Sequence, residues 1–136
     1  MGIFPKKENQ PIKTESNWPS ANQEVAELAL DIFETDKEFV VIAPIAGITK
    51  EDLDVSVSKG MLTIRGQRKQ DKTIEKKNYL YEECFWGQFM RRVVLPDDID
   101  ISVTQADLKN GLLILKIPKI AQSQDTGTPG GKIKVN

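Results

Sequence analysis

The chemistry open to this chain is narrowed first by what it lacks. No histidine occurs among its 136 residues, so the usual proton-moving side chain near neutral pH is missing. The one thiol, Cys84, has Glu82 and Glu83 as neighbours. Two adjacent carboxylates disfavour the thiolate that a nucleophile needs. Asp97, Asp98 and Asp100 follow Leu95-Pro96 and read as a solvated acidic turn rather than a cation site. No P-loop or dinucleotide fingerprint is present, so the residues specify no catalytic group, no cofactor and no metal. Arg65, Arg68, Lys69, Lys72, Lys76 and Lys77, with Tyr79 and Tyr81 nearby, carry the ingredients of a nucleic-acid surface. Asp71, Glu75, Glu82 and Glu83 interleave with them, however, so no clean basic patch forms.

What remains is binding through apolar side chains. Ile133-Lys134-Val135 sets two branched aliphatics two residues apart in a tail otherwise rich in Gln, Ser, Thr and Gly. An extended tail would present both to one groove. The first 28 residues are interrupted by Pro5, Pro11 and Pro19 and carry isolated apolar residues, among them Phe4, Ile12 and Trp18. These three are the candidates for contact with apolar surface on other proteins. Within this arm, Ser20 and Gln23 stand at capping-box spacing, and a short helix is expected over 20–28.

The elements that must position these groups are strands. Residues 39–43 are continuously apolar, like a strand buried on both faces. Leu53, Val55 and Val57 alternate with polar residues, as do Leu62 and Ile64, with Lys59-Gly60 as the turn between the two runs. Residues 79–95 are long enough for one strand bent at Gly87 or for two short ones. Residues 103–108 and 112–117 flank Asn110-Gly111, the strongest short hairpin signal because both residues tolerate positive φ. Pro118 ends the last strand, since it cannot donate to a ladder. Seven or eight short strands with little helical periodicity predict an all-β, immunoglobulin-like β-sandwich. Residues 66–78 interrupt the regular spacing with a polar loop longer than compact domains usually contain. The expected divisions are an N-terminal arm over 1–28, the sandwich domain over 29–118, and an extension over 119–136 with its anchor at 133–135.

The formal net charge is -1, from 19 basic and 20 acidic residues, which gives no overall attraction to nucleic acid or anionic membrane. A single cysteine excludes an internal disulfide. The first residues carry no signal-like apolar region, and no apolar run is long enough to span a bilayer. A cytoplasmic location without an integral membrane segment is the expectation.

Several motifs together resemble the small heat shock protein family, whose shared module is the α-crystallin domain. Its A-x-x-x-N-G-L-L signature matches Ala106, Asn110, Gly111, Leu112 and Leu113, and its C-terminal I-x-I/V anchor matches Ile133 and Val135. The segment Ala43-Pro44-Ile45-Ala46-Gly47-Ile48, with Glu51-Asp52-Leu53, is similar to the family's L-P-G-V-x-x-E-D-I. Gly87-Gln88-Phe89-Met90-Arg91 with Leu95-Pro96 is similar to G-x-F-x-R-x-x-x-L-P. Glu82-Glu83-Cys84 departs from the family's R-E-R.

The resemblance implies a sandwich of the α-crystallin type and an ATP-independent holdase that keeps partly unfolded client proteins from aggregating under heat or other stress. It further implies a homo-oligomer built from dimers and handover of clients to ATP-dependent chaperones. It implies that the long loop, around Lys72, Thr73, Ile74 and Glu75, reaches a partner subunit. Arg91 falls at the position of an arginine linked to assembly, and an intersubunit or interstrand ion pair is expected for it. The tail would dock in a groove lined by Leu53, Val55, Val57, Val103 and Leu108. Trp86 is the aromatic expected to face outward, opposite Phe85 and Phe89. The rival reading is a monomeric β-sandwich co-chaperone or adaptor that binds one folded partner.

Overall fold

The computed structural model of the chain describes residues 24–120 and 130–136. Phe4, Ile12, Trp18 and the Ser20–Gln23 cap therefore lie outside the described residues. Among the described residues, nine strands form two sheets: β1 (Ala26–Glu27), β2 (Asp31–Glu34), β3 (Glu38–Pro44), β4 (Leu53–Ser58), β5 (Met61–Arg68), β6 (Gly87–Val94), β7 (Gln105–Lys109), β8 (Leu112–Pro118) and β9 (Gly131–Ile133). One sheet has the order β1-β6-β5-β4-β9 and the other β2-β3-β8-β7. The described residues contain no α-helix, only single 3-10 turns at Lys50–Asp52 and Ile101–Val103. This is the all-β sandwich that the alternation pattern predicts.

The two hairpin signals act as their residue types require. Lys59 and Gly60 have φ of 52° and 74°, and Asn110 and Gly111 have 53° and 76°. Paired positive φ values match the twist of the flanking strands. The second turn also ties the sheet to the segment after β3, because Ile45 N–H donates to the Gly111 carbonyl at 2.6 Å.

Alternation places the core. Val41, Leu62, Ile64, Leu113, Leu115 and Ile117 point inward from both sheets and are fully buried. Val40 is buried too, but stands outside this cluster, so β3 is covered on both faces. Gly66 lies opposite Phe89 in the β5–β6 ladder. A Cβ on Gly66 would stand 2.5 Å from the Phe89 ring and 2.8 Å from the Asp52 carbonyl. The glycine lets the ring lie flat across the strand, and the Arg68 guanidinium sits 5.9 Å from the ring centroid.

Two expectations need correction. The helix over 20–28 does not form in its described part: Ala26 and Glu27 pair in parallel with Phe89 and Met90 of β6. Leu28 N–H donates to the Met90 carbonyl, and its side chain joins the core. Pairing with an open strand edge outweighs a local capping pattern. The strand expected over 79–95 begins only at Gly87, which opens β6 rather than bending it. Gly87 lies opposite Arg68, the last residue of β5, so residues 79–86 have no neighbouring strand to pair with.

Candidate functional site

The candidate site is the open side of the sandwich, where β4 edges one sheet and β7 edges the other. Both strands would present unpaired backbone groups there. The tail fills the gap. Ile133, Lys132 and Gly131 pair antiparallel with Val55, Ser56 and Val57. Two residues on, Val135 bridges to Ala106 in parallel. Asn136 N–H donates to the Ala106 carbonyl at 2.7 Å, and Leu108 N–H donates to the Asn136 carbonyl at 2.8 Å. One short segment thus bonds to the edges of both sheets. Ile133 and Val135 are half-buried and pack on the same core as Leu53 and Leu108. Val55 and Val57 of β4, opposite Ile133 and Gly131 in the ladder, are buried.

Val103 does not line the groove as expected. It ends the Ile101–Val103 turn rather than lying in a strand, and it is 51% exposed. Asp100 causes this: its carboxylate accepts from Ser102 N–H and Oγ, and the turn it caps delays β7 until Gln105. Ile101 packs on the core instead.

Beside the groove, on the outer face of β4, lies an ion-pair cluster that the sequence pattern does not signal. Asp54 occupies a polar position of an alternating strand, which reads from sequence as plain solvent face. Its Oδ2 accepts from Arg65 Nε at 3.0 Å, and its Oδ1 lies 3.2 Å from Lys132 Nζ on the tail. Burial pushes the Asp54 carboxyl up, but the hydrogen bonds from Arg65 and Lys132 outweigh it and hold the group below its ordinary value. Next to it, Lys69 and the Thr49 backbone N–H hold Asp52 below its ordinary value. The one available hint was a lysine immediately before the first aliphatic of the anchor.

The other candidate residues lie apart from the groove. Arg91 forms an interstrand contact: Nη1 donates to the Leu28 carbonyl at 3.1 Å and lies 3.7 Å from Glu27 Oε1. It clamps β1 onto β6. Lys72, Thr73, Ile74 and Glu75 are all exposed, in a connection over 69–86 without strand. Apolar groups crowd this connection, with Ile74 68% and Leu80 90% exposed. Trp86 is exposed, while Phe85 is half-buried and Phe89 buried. Ala106, Leu113 and the turn at Asn110-Gly111 support the groove from the β7–β8 side. Cys84 is exposed. Among the described residues, no group of three or more metal-ligating side chains converges, and no helix is long and apolar enough to cross a membrane.

Chemically, this arrangement recognises extended backbone by strand addition and two aliphatics by burial. Fold and groove together define a β-sandwich that seats an extended apolar segment across its open side. The model of the Hsp20/alpha crystallin family matches residues 31–136. The chain belongs to that family, the small heat shock proteins. It is 31% identical over 103 residues to small heat shock protein C4 of Rickettsia felis, a match covering 76% of this chain and 63% of that protein. The chain thus spans less than two thirds of that relative's length. Among solved structures, a small heat-shock protein from Xylella fastidiosa, described as having a distinct high order structure, shares 32% identity with a TM-score of 0.64, covering 75% of this chain and 94% of that one. Heat shock protein 16.0 of Schizosaccharomyces pombe gives a TM-score of 0.69 at 28% identity, covering 81% and 78%.

Proposed function

We propose that this chain is an ATP-independent holdase. It covers apolar surface on partly unfolded proteins in the cytoplasm and slows their aggregation without chemistry of its own. The observation that carries the reading is the tail lying across both sheet edges. A short, half-buried segment covers a binding groove that it can vacate. The resting form is a homo-oligomer built from dimers, as the family membership and the high order structure described for the Xylella fastidiosa relative support. The exposed 69–86 connection, with Lys72, Thr73, Ile74 and Glu75 near its start, supplies the dimer contact, and the tail latches dimers together. Stress loosens the latch. Groove and arm, with Phe4, Ile12 and Trp18, then meet clients by mass action. ATP-dependent chaperones take the clients over.

The test is heat-induced light scattering of a model client such as citrate synthase, with and without ATP. The expected result is protection at about stoichiometric chaperone, unchanged by ATP. No protection, or protection only with ATP hydrolysis, overturns the reading.

A further inference from the structure

Two aliphatic seats alone would accept any apolar-x-apolar segment. Beside the groove, on the outer face of β4, stands a third feature, a part-buried carboxylate that meets the tail's Lys132. Arg65 belongs to β5, next to β4 in the sheet, and its Nε holds Asp54 Oδ2 at 3.0 Å. Asp54 is thereby fixed from the sandwich side, with Oδ1 left for the tail. Lys132 reaches it at 3.2 Å.

The two partners differ in exposure, 24% for the Asp54 side chain against 81% for Lys132. The receiving group is built in, and the arriving one is long and solvated. Lys132 stands opposite Ser56, so it reaches Asp54 diagonally, within range of a long side chain. Glu51, Asp52 and Lys69 line the same shallow cavity of about 560 Å³. Asp52 already has Lys69 Nζ at 3.1 Å, and it is Asp54 that the tail's lysine contacts.

We infer that Asp54 selects what the groove accepts: extended segments with a lysine or arginine immediately before the first residue of an apolar-x-apolar pair. The occupant is segment 130–136 of this sequence, from its own chain or a second copy. A tail with an acid at that position meets repulsion from a carboxylate it cannot displace, a device that specifies by rejection. Asp54 then sorts which family tails co-assemble with this chain. The inference rests on the latch reading above and adds the class of partner.

The test uses the full chain carrying Ile133→Gly and Val135→Gly, which leaves the groove open. It is titrated with two labelled peptides, segment 130–136 and the same segment with Lys132→Glu, by fluorescence anisotropy. The native peptide should bind about fivefold to tenfold tighter at low salt. The gap should shrink at about 0.5 M salt, where surface charges are screened. Asp54→Lys should invert the order. The main contrast compares two peptides on one protein, so it does not depend on how Asp54 variants fold.

Equal affinities overturn the selection and leave the latch standing. Binding by neither peptide overturns both the selection and the latch. Client protection in the light-scattering assay judges the holdase reading separately.

Discussion

Replacing Ile133 and Val135 together by Gly should open the groove without unfolding the sandwich. Both side chains are half-buried against the core. Full burial of a branched aliphatic contributes about 1.5–3 kcal/mol, so half-burial of two gives about 1.5–3 kcal/mol. Two glycines add about 1–2 kcal/mol of extra backbone freedom to the undocked state. The loss is then about 2.5–5 kcal/mol, or roughly sixtyfold and upward in the docked-to-undocked ratio. The assay is amide hydrogen exchange read residue by residue. Leu108 N–H has its partner on the tail, the Asn136 carbonyl, and should exchange roughly sixtyfold faster or more. Ile64 and Leu115, in central strands of each sheet, should keep their protection. Native size should fall from large oligomers to dimers. Unchanged exchange at Leu108 would refute the reasoning, because that amide reports docking whether the tail comes from its own chain or from another.

Gly66→Ala should destabilise the domain by about 1–3 kcal/mol through overpacking, since its Cβ would meet the Phe89 ring at 2.5 Å; urea denaturation reads the change. Arg91→Ala removes a charge-assisted bond to the Leu28 carbonyl at a partly exposed site. It should loosen β1 by about 1–2 kcal/mol, visible as faster exchange at Leu28. Against the upward push of burial, Arg65 and Lys132 hold the Asp54 carboxyl below its ordinary value of 3.8 in the docked state; undocking removes only Lys132, whose contribution is complete above that value and disappears as pH falls through the lower, docked one. Tail docking followed by exchange should therefore be flat from neutral pH down to about 5 and weaken below about 4, and Asp54→Asn should flatten that limb. Deleting residues 70–77 should yield folded monomers by light scattering and circular dichroism, and persistent dimers would place the dimer contact elsewhere.

The parts of the fold that sequence reveals are those whose cause is local. Asn110-Gly111 and Lys59-Gly60 are legible because positive φ restricts residue choice at each turn. Leu113, Leu115 and Ile117 are legible because a half-buried strand must alternate. The misread segments have causes elsewhere in the chain. Residues 79–86 are rich in the aromatics that strands favour, but no neighbour lies beside them once β5 stops at Arg68. Ala26 and Glu27 sit in a pattern that suits a helix, yet the β6 edge claims them. Val103 follows a turn set by Asp100 and is lifted off the groove. The aliphatic anchor can be read from spacing. Asp54 cannot, since only folding brings it within reach of a lysine near the far end of the chain.

Because the tail closes an antiparallel edge on β4 and a parallel contact on β7 at the same time, its departure leaves two hydrogen-bonding templates bare together. A sheet edge in that condition invites strands from any neighbour, and unchecked addition of that kind builds fibrils. A chain with the holdase role proposed above would thus carry in itself a route to the association it slows in others. Open molecules should therefore be safest when dilute, short-lived or already occupied. On the proposed holdase reading, a client strand that adds to the bare edges protects this chain as well as the client.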